Sequence, residues 1–354
     1  MPKYRGRKTS IGLGERKQRG VLGRMVTASV SLALLAAIGF VIWLVYFAIT
    51  PADDSGPGRK IFNVDQGLGV RQIAQRLENL KLVSSADGFV ILVRVLGQSG
   101  DIKAGSYEVD RSLTPLDLLA KLTRGQFAQG QIRFIEGSTF RELRSALDTH
   151  PAIRHDTKGM SAAALLARLN IPEKHPEGLF FPDTYHFAAG TSDLTILQQA
   201  YEKMQTVLDS LWESRARNLP VKSRYEALVL ASIVEKETGD PDEREMVAAV
   251  FVNRLRKGMR LQADPTVIYG LGAAFDGNLR KRDLLTDQAY NSYTRYGLPP
   301  TPIALPGEAA IAATLNPASS KALYFVARGD GTHYFSNSLA EHNRAVNQFQ
   351  RLRR

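Results

Sequence analysis

Residues 25–49 are 25 consecutive positions without a charge, and this run constrains the chain more than any other feature. A helix of that length reaches across the hydrocarbon core of a bilayer, and only a helix satisfies its own backbone there. Trp43, Tyr46 and Phe47 near its end fit the membrane–water interface. A cleavable signal has an apolar core of roughly 7–15 residues, so the run reads as an uncleaved anchor. Cleavage after the small residues near Ala48–Ala52 is the competing reading.

Charge sets the orientation. Residues 1–24 hold eight Lys/Arg against one acid, Glu15, so they carry seven of the eleven net positive charges. Only four remain for residues 50–354, which removes the main argument for a nucleic-acid surface. A basic tail before the span and Asp53-Asp54 after it place the N-terminus in the cytoplasm and the rest of the chain outside the membrane. The tail is also suited to touch anionic lipid, although orientation alone accounts for it. The sequence has no cysteine, which excludes disulfides, iron–sulfur clusters and thiol nucleophiles. The six histidines show no zinc-type spacing, so neither a metal nor a cofactor is expected.

Beyond a turn-rich linker at 50–58, strand-like and helix-like stretches alternate. Strands are expected at 60–64, 105–109 and 131–135, followed by helices at 70–77, 114–122 and 139–147, with a further helix at 89–96. Thr114 before Pro115 reads as an N-cap followed by proline at the first helical position. Gly67-Leu68-Gly69 lacks the third glycine of a dinucleotide loop and reads as a turn. The expectation is an α+β chain: a transmembrane helix at 25–49, a small α+β module at 59–150 and a larger α+β domain at 151–354. Residues 148–176 are poorly patterned and read as a connector. Within the larger domain the spacing predicts helices at 224–237 and 244–257, a hairpin at 323–335 and a terminal helix at 339–352.

The helix at 224–237 carries the strongest chemical signal. At about 100° per residue, Glu237 projects near Leu230, Ile233 and Val234, whereas Glu235 and Lys236 point elsewhere. A carboxyl in apolar surroundings keeps its proton near neutrality and can donate it to a leaving oxygen. The plainer alternative is a solvated acid at a fraying helix end. Glu235 reads as solvated, or paired with Lys236 or Arg244. Three polar segments stand out besides: 177–186, 261–269 and 290–307. Amides, hydroxyls and tyrosine rings gathered in loops suit a carbohydrate cleft. Taken singly, these residues are equally consistent with turns and helix starts.

Taken in order, the motifs resemble a known family. They are Glu177-Gly178, Pro182-Asp183-Thr184-Tyr185, Glu235-Lys236-Glu237-Thr238 and Asn253-Arg254-Leu255, then Leu261-Gln262, Asp264-Pro265-Thr266-Val267-Ile268-Tyr269-Gly270, Tyr290-Asn291-Ser292-Tyr293 and Gly297-Leu298-Pro299-Pro300. This series resembles the endolytic murein transglycosylases, the MltG/YceG-like proteins, from the span to the C-terminus. The resemblance implies a single-pass protein of the bacterial inner membrane, with a LysM-like first module and a periplasmic lyase domain. That domain would cut the MurNAc–GlcNAc β-1,4 bond of peptidoglycan glycan strands and leave 1,6-anhydro-MurNAc ends. The family's catalytic acid/base maps onto Glu237. Glu177, Tyr185, Gln262, Asp264, Asn291 and Tyr293 are then expected as substrate-binding residues of the cleft, and a peptidoglycan polymerase as a neighbour. Two rivals stay open: a wall-binding scaffold that cuts nothing, and a muramidase-type hydrolase using Asp183 or Asp264 as its second carboxylate.

Overall fold

The computed structural model describes residues 14–52, 59–110 and 112–351. The first part of the basic tail and most of the linker lie outside the described residues. The first helix, α1 (Gly14–Ile49), contains Arg24–Ile49, a stretch long and apolar enough to cross a membrane. Large apolar side chains along it are exposed until Phe47 and Ala48 enter a protein core.

The chain divides into two compact units between Ala128 and Gln129. In the first, β1 (Arg59–Val64) is followed by α2 (Val70–Asn79), α3 (Ala86–Val95), β2 (Gly105–Asp110) and α4 (Pro115–Arg124). β1 and β2 pair antiparallel with Phe62 opposite Tyr107, so alternate residues of both strands face one core. Thr114 caps α4 by accepting from Asp117 N–H, with Pro115 next, as the sequence predicts. Gly69 is the residue before α2, so Gly67-Leu68-Gly69 is a turn into a helix. The end of α1 packs against α3 at Gly88, where a Cβ would lie 2.8 Å from the Phe47 ring. Only glycine permits that approach.

The second unit opens with β3 (Gln129–Arg133) and α5 (Phe140–Thr149), and here the structure departs from the expected division near residue 150. The physical reason is pairing: β3 runs antiparallel to β5 (Thr184–Ala188), and Ile132, Phe134, Leu143 and Leu147 join the second core. The segment expected as a connector contributes β4 (Ile153–Arg154) and α6 (Ala162–Arg168) to that core through Ile153, Leu165 and Leu166. β4 pairs with β6 (Thr191–Ser192), which leads into the 21-residue α7 (Asp193–Glu213).

The centre of this unit is helical. It comprises α8 (Arg224–Glu237), α9 (Arg244–Arg256), α10 (Asp264–Leu271), the short α11 (Lys281–Leu285) and α12 (Glu308–Leu315). The hairpin β7 (Tyr324–Ala327) and β8 (His333–Ser336) follows, then α13 (Leu339–Val346), which continues as one π turn. Every residue of α8 from Ala227 to Val234 is buried, the signature of a helix enclosed on all sides. Its one polar member there, Ser232, is satisfied: Oγ donates to Val229 O (2.7 Å) and accepts from Ile303 N–H (2.9 Å).

Gly178 shows how tightly the loops of this unit close on the core. It adopts φ 78°, and a Cβ there would lie 2.5 Å from Pro302. Gly178→Ala is expected to destabilise the unit by about 2–4 kcal/mol, combining left-handed strain with overpacking. Denaturant unfolding followed by fluorescence of Trp212, on α7, checks this; an unchanged midpoint would refute the packing argument.

Candidate active site

Helix α8 ends at Glu237, and the next residue, Thr238, turns into an extended conformation. Thr238 Oγ1 accepts from Asp240 N–H (3.0 Å), which closes the turn and stops the helix. Glu237 is thereby left at the wall of a cavity of about 600 Å³, with Gln262, Asp264 and Tyr293 also lining it. Of the seven residues expected at the site, these four come together.

Burial pushes the Glu237 carboxyl up to about 8 from its ordinary value of 4.5. The negative charge of Asp264 acts in the same direction, and the Arg254 guanidinium opposes both. Glu237 is accordingly a protonated acid at neutral pH, held near a second carboxylate and a cation. Asp264 stands in the first turn of α10, where its Oδ1 accepts from the Tyr293 hydroxyl at 2.6 Å. Burial raises the Tyr293 phenol, so it stays a donor.

Gln262 has a left-handed backbone, φ 50°, an uncommon conformation for a residue with a side chain. Its N–H donates to Ser292 O (3.1 Å), and its Oε1 lies 3.4 Å from Arg254 Nη1. Strain of this kind persists only where the surroundings enforce it. Here they do: Ala263 N–H donates to Ser292 Oγ (2.9 Å), and Thr266 Oγ1 lies 2.8 Å from the same hydroxyl.

The other three expected residues sit elsewhere. Asn291 is fully buried; its Nδ2 reaches the carbonyls of Asp283, Leu284 and Thr286, and its Oδ1 accepts from Tyr293 N–H (2.8 Å). It positions Tyr293 from behind and does not line the cavity. Tyr185 lies on β5 inside the core, with its hydroxyl donating to Phe181 O (2.7 Å) and its ring 5.2 Å from Phe134. Its polar tip is used internally, which removes it from the cleft.

Glu177 is 3 % exposed and lines a separate cavity. Burial lifts its carboxyl to about 7, against hydrogen bonds from Phe140 N–H (2.8 Å) and the Tyr269 hydroxyl (3.0 Å). Asp183 does not line the Glu237 cavity; it pairs with Lys203, which holds it below the usual carboxylate range. Glu235 is half-buried and not solvated as expected: its Oε2 accepts from Gly307 N–H (3.0 Å), tying α8 to the start of α12.

Arg254 was named in a motif, but its role becomes visible only in the structure. Its guanidinium is buried, and among the described residues no carboxylate hydrogen-bonds to it. Nε donates to Leu323 O (2.6 Å) and Nη1 to Leu261 O (2.7 Å), and the group lies 5.1 Å over the Tyr324 ring. It therefore joins the hairpin wall of the cavity to the loop that bears Gln262. His333 does similar work: its backbone N–H and Nδ1 each lie 2.7 Å from Glu243, which fixes the hairpin to the turn after Glu237. An isolated histidine and an acid ninety positions apart carry no such signal in sequence. Among the described residues, no cluster of three or more His, Asp or Glu could hold a metal.

The YceG-like family profile matches residues 62–348, which include every residue of this cavity except Gln350. The chain belongs to the YceG-like family. It is 32 % identical over 304 residues to a Bacillus subtilis protein named endolytic murein transglycosylase, covering 81 % of this chain and 84 % of that one. A Streptococcus pneumoniae protein of the same name is 28 % identical, over 91 % of this chain and 64 % of its own length. A crystal structure of a yceG-like protein from Listeria monocytogenes matches with a TM-score of 0.49 at 29 % identity, covering 82 % of this chain and 99 % of that one.

The raised carboxyl has a stability consequence. Between 4.5 and about 8 the unfolded chain ionises at Glu237 while the folded protein keeps the proton. Its folded state is thus penalised progressively as pH rises through that window, by roughly 1.4 kcal/mol per pH unit. Glu237→Gln is expected to be more stable than the parent at pH 8, with the gap closing toward pH 4.5. Trp212-monitored unfolding at both pH values measures it; a pH-independent difference would contradict a Glu237 that keeps its proton in the folded state.

Proposed function

We propose that this protein is a membrane-anchored endolytic lytic transglycosylase acting on peptidoglycan glycan strands. The observation that carries the reading is Glu237, an acid kept protonated at neutral pH on the wall of a cavity large enough for sugars. The names of the B. subtilis and S. pneumoniae relatives favour the same substrate.

One carboxyl suffices for both halves of the reaction. Glu237 gives its proton to the oxygen of the MurNAc–GlcNAc β-1,4 bond, and the bond from that oxygen to C1 breaks. The C6 hydroxyl oxygen of the same MurNAc attacks C1, and the Glu237 carboxylate takes up the hydroxyl proton. The products are a free 4-hydroxyl on GlcNAc and a 1,6-anhydro ring, with no water consumed. Arg254 eases the intervening carboxylate state, because its positive charge counters the cost of ionising a buried group. Gln262 and the Asp264–Tyr293 pair stand beside Glu237 to hold sugar hydroxyls and N-acetyl groups.

A hydrolase needs a second carboxylate free to act, and Asp264 is the candidate within the cavity. Its Oδ1 is engaged by Tyr293, an arrangement that favours a binding role. In the first unit, the β-α-α-β order with antiparallel end strands supports a LysM-like module that grips glycan without cutting it. The apolar Arg24–Ile49 stretch would anchor the protein in the inner membrane, with the basic tail cytoplasmic and both units periplasmic. That placement keeps the active unit near newly made strands and any polymerase making them, where it would terminate their elongation.

Incubation of the purified protein with peptidoglycan, read by mass spectrometry, is expected to give anhydro ends without reducing ends. Reducing ends would instead establish a hydrolase, and no new ends a scaffold. Glu237→Gln should lower the rate by about 100-fold or more. Glu235→Gln should be mild, since an amide oxygen can still accept from Gly307 N–H. The rate should fall above pH 8 as Glu237 loses its proton; a rate that rises steadily through pH 9 would exclude it as the acid.

A further inference from the structure

The last turns of α1 belong to the core of the first unit. Leu44, Phe47 and Ala48 pack into the same cluster as Phe62, Phe89 and Tyr107, and α1 touches both α3 and α4. Gly88, in the first turn of α3, lets the Phe47 ring lie against that helix. The linker at 50–58 therefore does not set the distance between α1 and the unit, because the two are in contact before it begins.

The height of this contact follows from the helix itself. A hydrocarbon core of about 30 Å takes roughly 20 helical residues. Arg24–Ile49 is 26 residues long, so counted from Arg24 its last turns lie in the headgroup layer. Trp43 and Tyr46, 42 % and 65 % exposed, suit that layer, where amphipathic rings settle. Phe47 is the next residue, about 1.5 Å further along the axis, and is 6 % exposed. One side of α1 thus packs into the first unit at the height where its other side meets the membrane interface.

The edge of the unit at this height can be read from its topology. Arg59 opens β1 opposite Asp110 at the end of β2, and α4 begins shortly afterwards at Pro115. Lys60 Nζ donates to Leu80 O (2.7 Å), which brings the turn between α2 and α3 to the same edge. Leu116 and Lys81 are exposed there, beside the half-buried Lys60. Nearby charges are engaged: Arg59 with Glu108, Asp87 with Arg71, Asp110 with Ser112 and Asp117 with Thr114. An exposed leucine flanked by lysines suits a lipid surface, since the apolar chain enters the acyl boundary while ammonium groups meet phosphates.

We propose that the first unit is seated on the bilayer: its edge around Leu116, Lys60 and Lys81 rests in the phospholipid headgroup layer, held there by the packing of Phe47 on Gly88. The proposal rests on the reading of Arg24–Ile49 as a membrane anchor. The unit is thereby kept at one height above the membrane, and any strand it grips is gripped there.

The chain has no cysteine, so single cysteines can carry a fluorescent label in the full-length protein reconstituted into phospholipid nanodiscs. Three exposed positions are compared. Leu116→Cys lies at the proposed contact, and Ile38→Cys lies within the apolar stretch. Gln66→Cys lies in the turn beyond the far end of β1, about 20 Å from Arg59. With lipids that carry a quencher in the headgroup layer, Leu116→Cys is expected to be quenched about threefold more strongly than Gln66→Cys. Equal quenching at these two positions would overturn the proposal. Lipids that carry the quencher deep in the acyl chains should quench Ile38→Cys; a label there that they do not reach would overturn the anchor reading itself. Gly88→Leu drives a side chain into the Phe47 ring and is expected to lower quenching at Leu116→Cys by about half. Unchanged quenching would refute the seating role of that packing. Should circular dichroism show the Gly88→Leu protein unfolded, Phe47→Ala, which removes the ring from the α1 side, carries the same comparison.

Discussion

The enclosure of α8 is the constraint on which the rest of the second unit depends. Eight consecutive buried residues leave this helix no solvent face, so α7, α9, α10 and α12 must pack around it and the loops must close over it. Ser232 survives there because Ile303 N–H and Val229 O complete its hydrogen bonds, which also fixes the proline-rich loop against the helix. Glu237 inherits its chemistry from this packing. It is the last residue of the enclosed helix, at the negative end of the helix dipole, and ionisation there is opposed by burial and by Asp264.

The polar motif residues around Glu237 mostly hold loops together. Asn291, Ser292 and Thr266 are buried, and they splice the segment at 261–266 to the segment at 291–293 through short hydrogen bonds. That splice presents Gln262 in its left-handed conformation and aims Tyr293 at Asp264. Arg254 is a buried cation satisfied by carbonyls, so its charge is left to act on Glu237 through space. A buried cation in such a setting is costly unless its donors are met, and here the carbonyls of Leu323 and Leu261 meet them.

Much of the architecture was legible in the sequence for simple reasons. Helices α2, α4 and α5 have clear apolar periodicity, Ser223 caps α8, and the hairpin at 324–336 is announced by Arg328-Gly329-Asp330-Gly331 between aromatic strands. The division of the chain was not legible, because β3 looks locally like β1 and only its pairing with β5 assigns it to the second unit. Elements α6 and α7 escaped as well; the first is short and alanine-rich, and the second follows a two-residue strand that has no sequence signature. Tyr185 and Asn291 were expected in the cleft because polarity in a loop looks the same whether it faces a ligand or the backbone. The hydroxyl and amide are spent on Phe181, Asp283, Leu284 and Thr286.

The sequence by itself determined the apolar Arg24–Ile49 stretch, the charge asymmetry across it and the helix that carries Glu237. These follow from local periodicity and composition, which need no partner elsewhere in the chain. Only the tertiary structure decided that Gln262, Asp264 and Tyr293 meet Glu237, that Arg254 and His333 brace the cavity, and that Glu177 belongs to a second cavity along α10. Those facts depend on side chains brought together from distant segments. Their hydrogen bonds and burial, and with them the proton on Glu237, exist only once α8 is enclosed.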